Sequence, residues 1–216
     1  HKIIEIKTLI YFSAALFFVS CNNGNPNPRA WSMYKADAAS TSYSPFDQVN
    51  SGNIGKLRPA WTFNYNDAAK GARFTGSQCN PIVVDDVMYV ASLHRTIFAL
   101  NAADGKMIWS FDPFKNERGG GSFRGVTYWQ AGNDKRILFT AGDHLFAIDA
   151  NSGKPISSFG ALGKVSMNVG IRDDSSLISI KPTSPGIIYR DLYIIGNEVS
   201  ELYGAQPGYV RAYNVR

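Results

Sequence analysis

The chain has 216 residues, 44% hydrophobic and 13% aromatic, with 20 glycines, 10 prolines and a formal charge of +5. Lysines and arginines are scattered singly, without a basic run, so the charge reads as solubility and not as nucleic-acid binding. No heptad or long helical stripe appears, which leaves an all-β class rich in turns.

In chain order, Lys2 and Lys7 come first, followed by the apolar run Leu9 to Val19 and then Ser20-Cys21. A basic start and a short apolar run describe a secretory signal over 1–20, too short for an ordinary membrane span. The placement of Cys21 resembles a bacterial lipoprotein cleavage box, in which the thiol after the cut carries lipid. Phe18 departs from it, since leucine is commoner at that place; an ordinary cleaved signal with a chance cysteine is the alternative. Residues 21–30, with Asn22-Asn23-Gly24-Asn25-Pro26, then form a polar tether. This places the protein in the periplasm or cell envelope, anchored to the membrane by lipid. With Cys21 acylated, Cys79 is the one thiol left and no internal disulfide forms.

Residues 31–57 are polar and turn-rich. Ala60 to Tyr65 is the first predicted strand. Pro81 to Ser92 gives two strands around Asp85-Asp86, and Thr96 to Leu100 with a second strand closing on Trp109 completes that unit around the turn Asp104-Gly105. Arg124 to Trp129, Arg136 to Ala141 and His144 to Asp149 form the next. Lys164 to Lys181 reads as an irregular connection. Pro185 to Gly196 mirrors 81–92, with Arg190-Asp191 at its turn, and Tyr209 to Arg216 starts a further hairpin. The hairpin recurs: Ala147 to Phe159 repeats the register of Ala99 to Phe111, with Asp149 matching Asn101 and Gly153-Lys154 matching Gly105-Lys106. Ala212 to Arg216 opens a third copy. The copies begin at 99, 147 and 212, steps of 48 and 65. A hairpin returning at such intervals predicts a radial array of four-stranded sheets, a β-propeller, with about three blades here. Because a ring needs four to eight blades, the chain reads as the front part of a larger protein.

The ordered motifs carry a resemblance. Tyr43-Ser44-Pro45, Asp47-Gln48-Val49-Asn50, Ala60-Trp61, FALNAADGKMIW (98–109), FRGVTYW (123–129), PTSPGIIYRDLYIIG (182–196) and GYVRAYNVR (208–216) resemble the quinoprotein dehydrogenases over residues 31–216. These hold pyrroloquinoline quinone (PQQ) in an eight-bladed propeller, and among them the chain is most similar to the membrane-type glucose dehydrogenases. Those are usually anchored by several transmembrane helices, so anchoring here would differ. The resemblance implies oxidation of a sugar or other alcohol, with Ca2+ (or Mg2+) as the metal and a quinone or cytochrome as electron acceptor. It also implies that the carboxylate base and the remaining metal ligand lie in later blades, beyond residue 216, so that these residues alone are inactive.

The resemblance implies site residues as well, each with a plainer alternative left open. Arg124 falls where the family places an arginine on a PQQ carboxylate; otherwise it is a solvated strand-end cation. Gln78 falls where alcohol-oxidising members carry a glutamate, or it simply ends a loop. His94 fits the loop histidine that sugar-oxidising members bring over the quinone in place of a Cys-Cys pair, or it is a surface residue. Thr183 and Ser184 match hydroxyls that meet a cofactor carboxylate, or they are turn residues before Pro185. Glu201 aligns with a metal ligand, with Glu198 as a substitute, although Ser200-Glu201 replaces the sugar enzymes' Asp and Asn. Trp109, Trp129 and Asp149 read as joints between blades, and Cys79 as buried. Gly119-Gly120-Gly121 lacks the strand and helix of a phosphate loop. Two other functions compatible with the repeats are a non-catalytic propeller lipoprotein that scaffolds outer-membrane protein assembly, and a carbohydrate-binding propeller.

Overall fold

The computed structural model describes residues 31–65, 77–115, 122–171, 180, 182–199 and 207–216. Cys21, Glu201, residues 1–30 and the triple glycine lie outside them. Three antiparallel sheets follow one another along the chain. The first holds β1 (Ile82–Val84), β2 (Val87–Ala91), β3 (Ile97–Asn101) and β4 (Met107–Phe111), paired in that order. The second holds β5 (Thr127–Ala131), β6 (Asp134–Ala141), β7 (His144–Asp149) and β8 (Lys164–Ser166), and the third β9 (Ile187–Tyr189), β10 (Leu192–Ile195) and β11 (Arg211–Asn214). The turns are those the sequence predicts. Asp85 and Asp86 both take positive φ (48° and 63°), the geometry of a two-residue hairpin, and Arg190 does so at the β9–β10 turn.

The repeat register is physical. Ala102 N–H donates to Asp86 O, Ala150 N–H to Lys135 O and Val215 N–H to Asp191 O, one equivalent bond in each blade at 2.8–2.9 Å. The middle blade shows why the centres of β6 and β7, Ile137 to Phe139 and Leu145 to Ile148, are apolar at successive positions. Successive side chains point to opposite faces, and both faces of this sheet are covered. Ile137, Phe139, Phe146 and Ile148 join the first blade's Ile82, Tyr89, Ile97 and Trp109 in one core. Their neighbours Leu138, Leu145 and Ala147 join Met167, Tyr193, Ile195 and Val215 in a second. The core therefore lies between blades, and each sheet depends on its neighbour for burial.

Tryptophans lock these joints. Trp109 Nε1 donates to Ala150 O at 3.0 Å, and its ring lies on Gly153, where an added Cβ would sit 2.6 Å from Cε3. Trp61 repeats the contact one step earlier, donating to Ala102 O at 3.1 Å and covering Gly105. Asp149 holds the glycine turn itself, accepting from Ser152 N and Oγ. Trp129 works differently. It donates to Arg190 O across the second joint and is flanked by the guanidiniums of Arg136 and Arg216, which bind Asp134 and Asp191.

Three expectations need correction. Ala60 to Tyr65 forms no strand among the described residues; its aromatic side chains dock instead, Trp61 on Gly105 and Phe63 and Tyr65 on Phe98. Residues 154–159 do not complete the second copy's hairpin. Asp149 N–H donates to Lys154 O and Ile156 N–H to Ala147 O, which makes one bridge, Ile148–Pro155, before the chain turns away with Phe159 N–H donating to Ile156 O. The outer strand comes later, as β8, inside the stretch read as irregular. Cys79 is half-buried: Ala91 N–H donates to its Sγ at 3.3 Å, and burial pushes the thiol above its ordinary pKa.

Two measurements test this packing. Gly153→Ala, with φ of +70° and a Trp109 overlap, should lose about 2–4 kcal/mol in chemical denaturation. Gly132→Ala, with φ of +59° and no atom within 4 Å, should lose only about 1 kcal/mol. Equal losses would mean that the ring contact contributes nothing. Tyr193 is fully buried, its hydroxyl oxygen accepts from Gly186 N–H at 2.9 Å, and burial pushes its pKa from 10.0 to about 12. Because the folded value lies above the unfolded one, this contribution is complete below pH 10 and is lost as pH rises through 12. Tyr193→Phe should be destabilised at neutral pH by about 1–3 kcal/mol, through the stranded Gly186 N–H, and should show a shallower alkaline decline.

Candidate functional site

Antiparallel pairing decides which residues can meet. In each blade the start of the first strand, the end of the second and the start of the third lie at one end. Gln78 and Asn80 (before β1), His94 (between β2 and β3), Arg124 (before β5), and Thr183 and Ser184 (before β9) therefore share that end. The segments leading into the first strands are joined directly. Asn80 N–H donates to Arg124 O at 3.0 Å and Arg124 N–H to Thr183 O at 2.9 Å, a chain of backbone bonds that crosses all three blades. Thr127 Oγ1 adds a bond to Gly186 O at 2.8 Å. These bonds make β1, β5 and β9 the converging edges of the blades.

Side chains gather on this seam. Arg124 Nη1 donates to Thr183 Oγ1 at 2.6 Å and lies 3.5 Å from Ser184 Oγ. Arg124 is only partly buried, and among the described residues it forms no ion pair. Its partners are neutral hydroxyls, so the guanidinium keeps both its charge and free donors for an anion. Next to it opens a cleft of about 660 Å³ lined by Thr183, Ser184, Pro185, Gly196, Asn197 and Glu198. Asn197 Nδ2 is buried there without a hydrogen-bond partner among the described residues.

The other expected residues are placed less closely. Gln78 is exposed; its carbonyl accepts from Asn80 Nδ2 at 3.4 Å, so it sits two residues from the seam. His94 is half-buried in a loop that Arg95 ties to the second blade through Ser122 O and Thr140 O. Glu198, not Glu201, is the described carboxylate at the cleft. The sequence reading missed Asn80, Arg95 and Asn197. Asn197 had a signal, an amide directly after the strand-ending Gly196; Asn80 acts through its backbone and had none.

An anionic, planar cofactor carrying carboxylates fits this donor set: one guanidinium and two hydroxyls at hydrogen-bonding range of one another. A hard divalent cation fits in part. Glu198 and Asn197 bring oxygen donors to the cleft, but the described residues contain no group of three His, Cys, Asp or Glu side chains that would hold a metal, so completing its shell falls to other groups. Among the described residues no helix is long and apolar enough to cross a membrane.

Comparison with known proteins agrees with this geometry. A family model described as the glucose/ethanol/alcohol dehydrogenase β-propeller domain, PQQ, matches residues 31–216. The chain is 28% identical to quinoprotein glucose dehydrogenase A of Acinetobacter calcoaceticus, over 86% of this chain and 26% of that protein. It is 36% identical to the dehydrogenase subunit of the quinone-dependent alcohol dehydrogenase of Gluconobacter oxydans, over 64% of this chain and 18% of that one. The crystal structure of quinohemoprotein alcohol dehydrogenase from Comamonas testosteroni superposes with a TM-score of 0.67 at 28% identity, covering 86% of this chain and 25% of that one. The chain thus spans about a quarter of the length of the relatives it matches. With three blades joined through tryptophans and a family model matching residues 31–216, the chain belongs to the PQQ-dependent glucose/ethanol/alcohol dehydrogenase β-propeller family.

Proposed function

We propose that this chain is part of a PQQ-dependent dehydrogenase of the cell envelope, held by a lipid on Cys21, that oxidises a sugar or another alcohol and passes electrons to a quinone or cytochrome. The observation that carries this reading is the Arg124 guanidinium at the converging blade edges, bonded to Thr183 Oγ1 at 2.6 Å, near Ser184 and without a carboxylate partner among the described residues. Such a guanidinium offers charge-assisted hydrogen bonds to one carboxylate of the cofactor, and the Thr183 and Ser184 hydroxyls orient it from the next blade. His94 would lie over the ring as a flat imidazole, with Gln78 donating from the rim.

When bound, PQQ supplies the two-electron acceptor, and a divalent metal such as Ca2+ the Lewis acid, that these side chains lack. Glu198, together with Glu201 beyond the described residues, would contribute oxygen ligands to the metal. The chain's own role is positional. The backbone bonds from Asn80 through Arg124 to Thr183 keep the donors of three blades in register, and Thr183, Ser184 and Glu198 line a cleft that would hold part of the cofactor. The base that takes the substrate's hydroxyl proton is assigned to residues outside this chain.

Full-length protein reconstituted with PQQ and Ca2+ should oxidise glucose or ethanol in a dye-linked assay. Arg124→Gln should weaken PQQ binding about 30- to 100-fold, the loss of a charge-assisted pair of about 2–3 kcal/mol, while Arg124→Lys should lose less. Absence of both quinone uptake and oxidation, across sugars and alcohols, would favour a scaffolding propeller. Treatment with EDTA should abolish turnover and added Ca2+ restore it; activity indifferent to chelation would remove the metal from the proposal.

A further inference from the structure

The loop that carries His94 breaks the blade repeat. Between β6 and β7 the chain turns in two residues, Gly142 and Asp143, whereas between β2 and β3 it takes five, Ser92 to Thr96. The longer loop is built tightly. Ser92 N–H donates to Thr96 O and Arg95 N–H to Ser92 O, both at 3.0 Å, and Ser92 Oγ accepts from Thr96 N–H. At its centre Arg95 takes a φ of +65°, unusual for a side chain of this size, and turns inward until only 6% of it is exposed.

Among the described residues, Arg95 is a buried cation without a carboxylate. Nη1 donates to Thr140 O and Nη2 to Ser122 O, each at 3.2 Å, and the guanidinium lies over the Phe123 ring at 5.4 Å. Its Nε has no partner among the described residues, and burial pulls its pKa below the ordinary arginine value. Arg136 is buried to the same degree but is paired with Asp134. An apolar side chain would fill the space without the desolvation cost, so packing alone does not account for an arginine here. What the fork supplies is a fixed link between two carbonyls of the next blade. One of them, Ser122 O, lies two residues before Arg124, and His94 is the residue before Arg95.

We propose that Arg95 is a positioning residue that couples the His94 loop to the Arg124 segment, setting the gap between the group over the cofactor ring and the group on its carboxylate. This rests on the reading of that end of the blades as the PQQ site, but its structural half is independent of the cofactor. The planar fork spans both carbonyls at once; a lysine reaches one of them.

The test uses full-length protein with Arg95→Met and Arg95→Lys, and with Trp129→Phe as a variant that weakens the other blade joint, at the far end of the sheets. In the apo-protein, Arg95→Met should speed amide hydrogen exchange at Ser92–Thr96 and at Ser122–Arg124 together, leaving β6 and β7 unchanged, whereas Trp129→Phe should speed neither segment. On titration with PQQ, Arg95→Met should raise the dissociation constant about 10- to 100-fold, Arg95→Lys less, and Trp129→Phe less than twofold. His94→Ala should then add less than twofold in the Arg95→Met background. Should Arg95→Met fail to fold, Arg95→Lys carries both readouts. Faster exchange in the loop alone, or uniformly across the blade, would overturn the coupling. So would a dissociation constant within twofold of wild type. If the wild-type protein takes up no PQQ, the proposed function fails, and the exchange data alone decide whether Arg95 couples the two segments.

Discussion

The contact on which the structure depends is an indole ring lying on a glycine in the next blade. Trp109 covers Gly153 and donates to Ala150 O, and Trp61 covers Gly105 and donates to Ala102 O. Both members of each pair are 48 residues apart from their counterparts, so the joint recurs with the chain repeat. The glycine is required twice over at these turns, by a positive φ and by the 2.5–2.6 Å at which a Cβ would meet the ring. Because each sheet buries both faces against its neighbours, a blade has little core of its own. The joints are therefore where the cooperativity of the wheel resides.

This arrangement also makes the site. Antiparallel sheets stacked in one register bring equivalent turns to one end, and convergence of the blades brings their first strands together there. A single residue on such a seam can bond to the blades on both sides, as Arg124 does through its carbonyl to Asn80 N–H and through its backbone N–H and guanidinium to Thr183. The opposite end of the sheets carries the short hairpins Asp85-Asp86 and Arg190-Asp191, whose polar residues serve turn geometry and surface ion pairs such as Lys135–Asp85. Departures from the repeat collect at the first end: the long loop around His94, the buried Arg95 and the cleft beside Glu198. Regular positions maintain the wheel; irregular ones differentiate its hub.

Much of this was legible in the sequence, because the repeat writes its register in small, specific residues. Asn101 and Asp149, Gly105 and Gly153, and the strand at His144–Asp149 fell where the motif put them. Arg124, Thr183 and Ser184 were nominated from the resemblance, and the structure brings those three together. Other features were hidden for physical reasons. Ala60 to Tyr65 has the apolar pattern of a strand, but its rings dock on the first blade and no strand forms there among the described residues. The outermost strand of the second blade comes later than the repeat suggests, because the chain turns at Ile156–Phe159 after a single bridge. Asn80 contributes a backbone donor, which no side-chain pattern reveals, and Arg95 looks like any surface arginine until its loop folds inward.

The most direct measurement is a structure of the full-length protein with PQQ bound, read at one distance. The proposed site predicts the guanidinium nitrogens of Arg124 within about 2.7–2.9 Å of a cofactor carboxylate oxygen, with Thr183 Oγ1 still bonded to the same side chain. A cofactor seated elsewhere, or Arg124 turned to solvent while PQQ is bound, would contradict it.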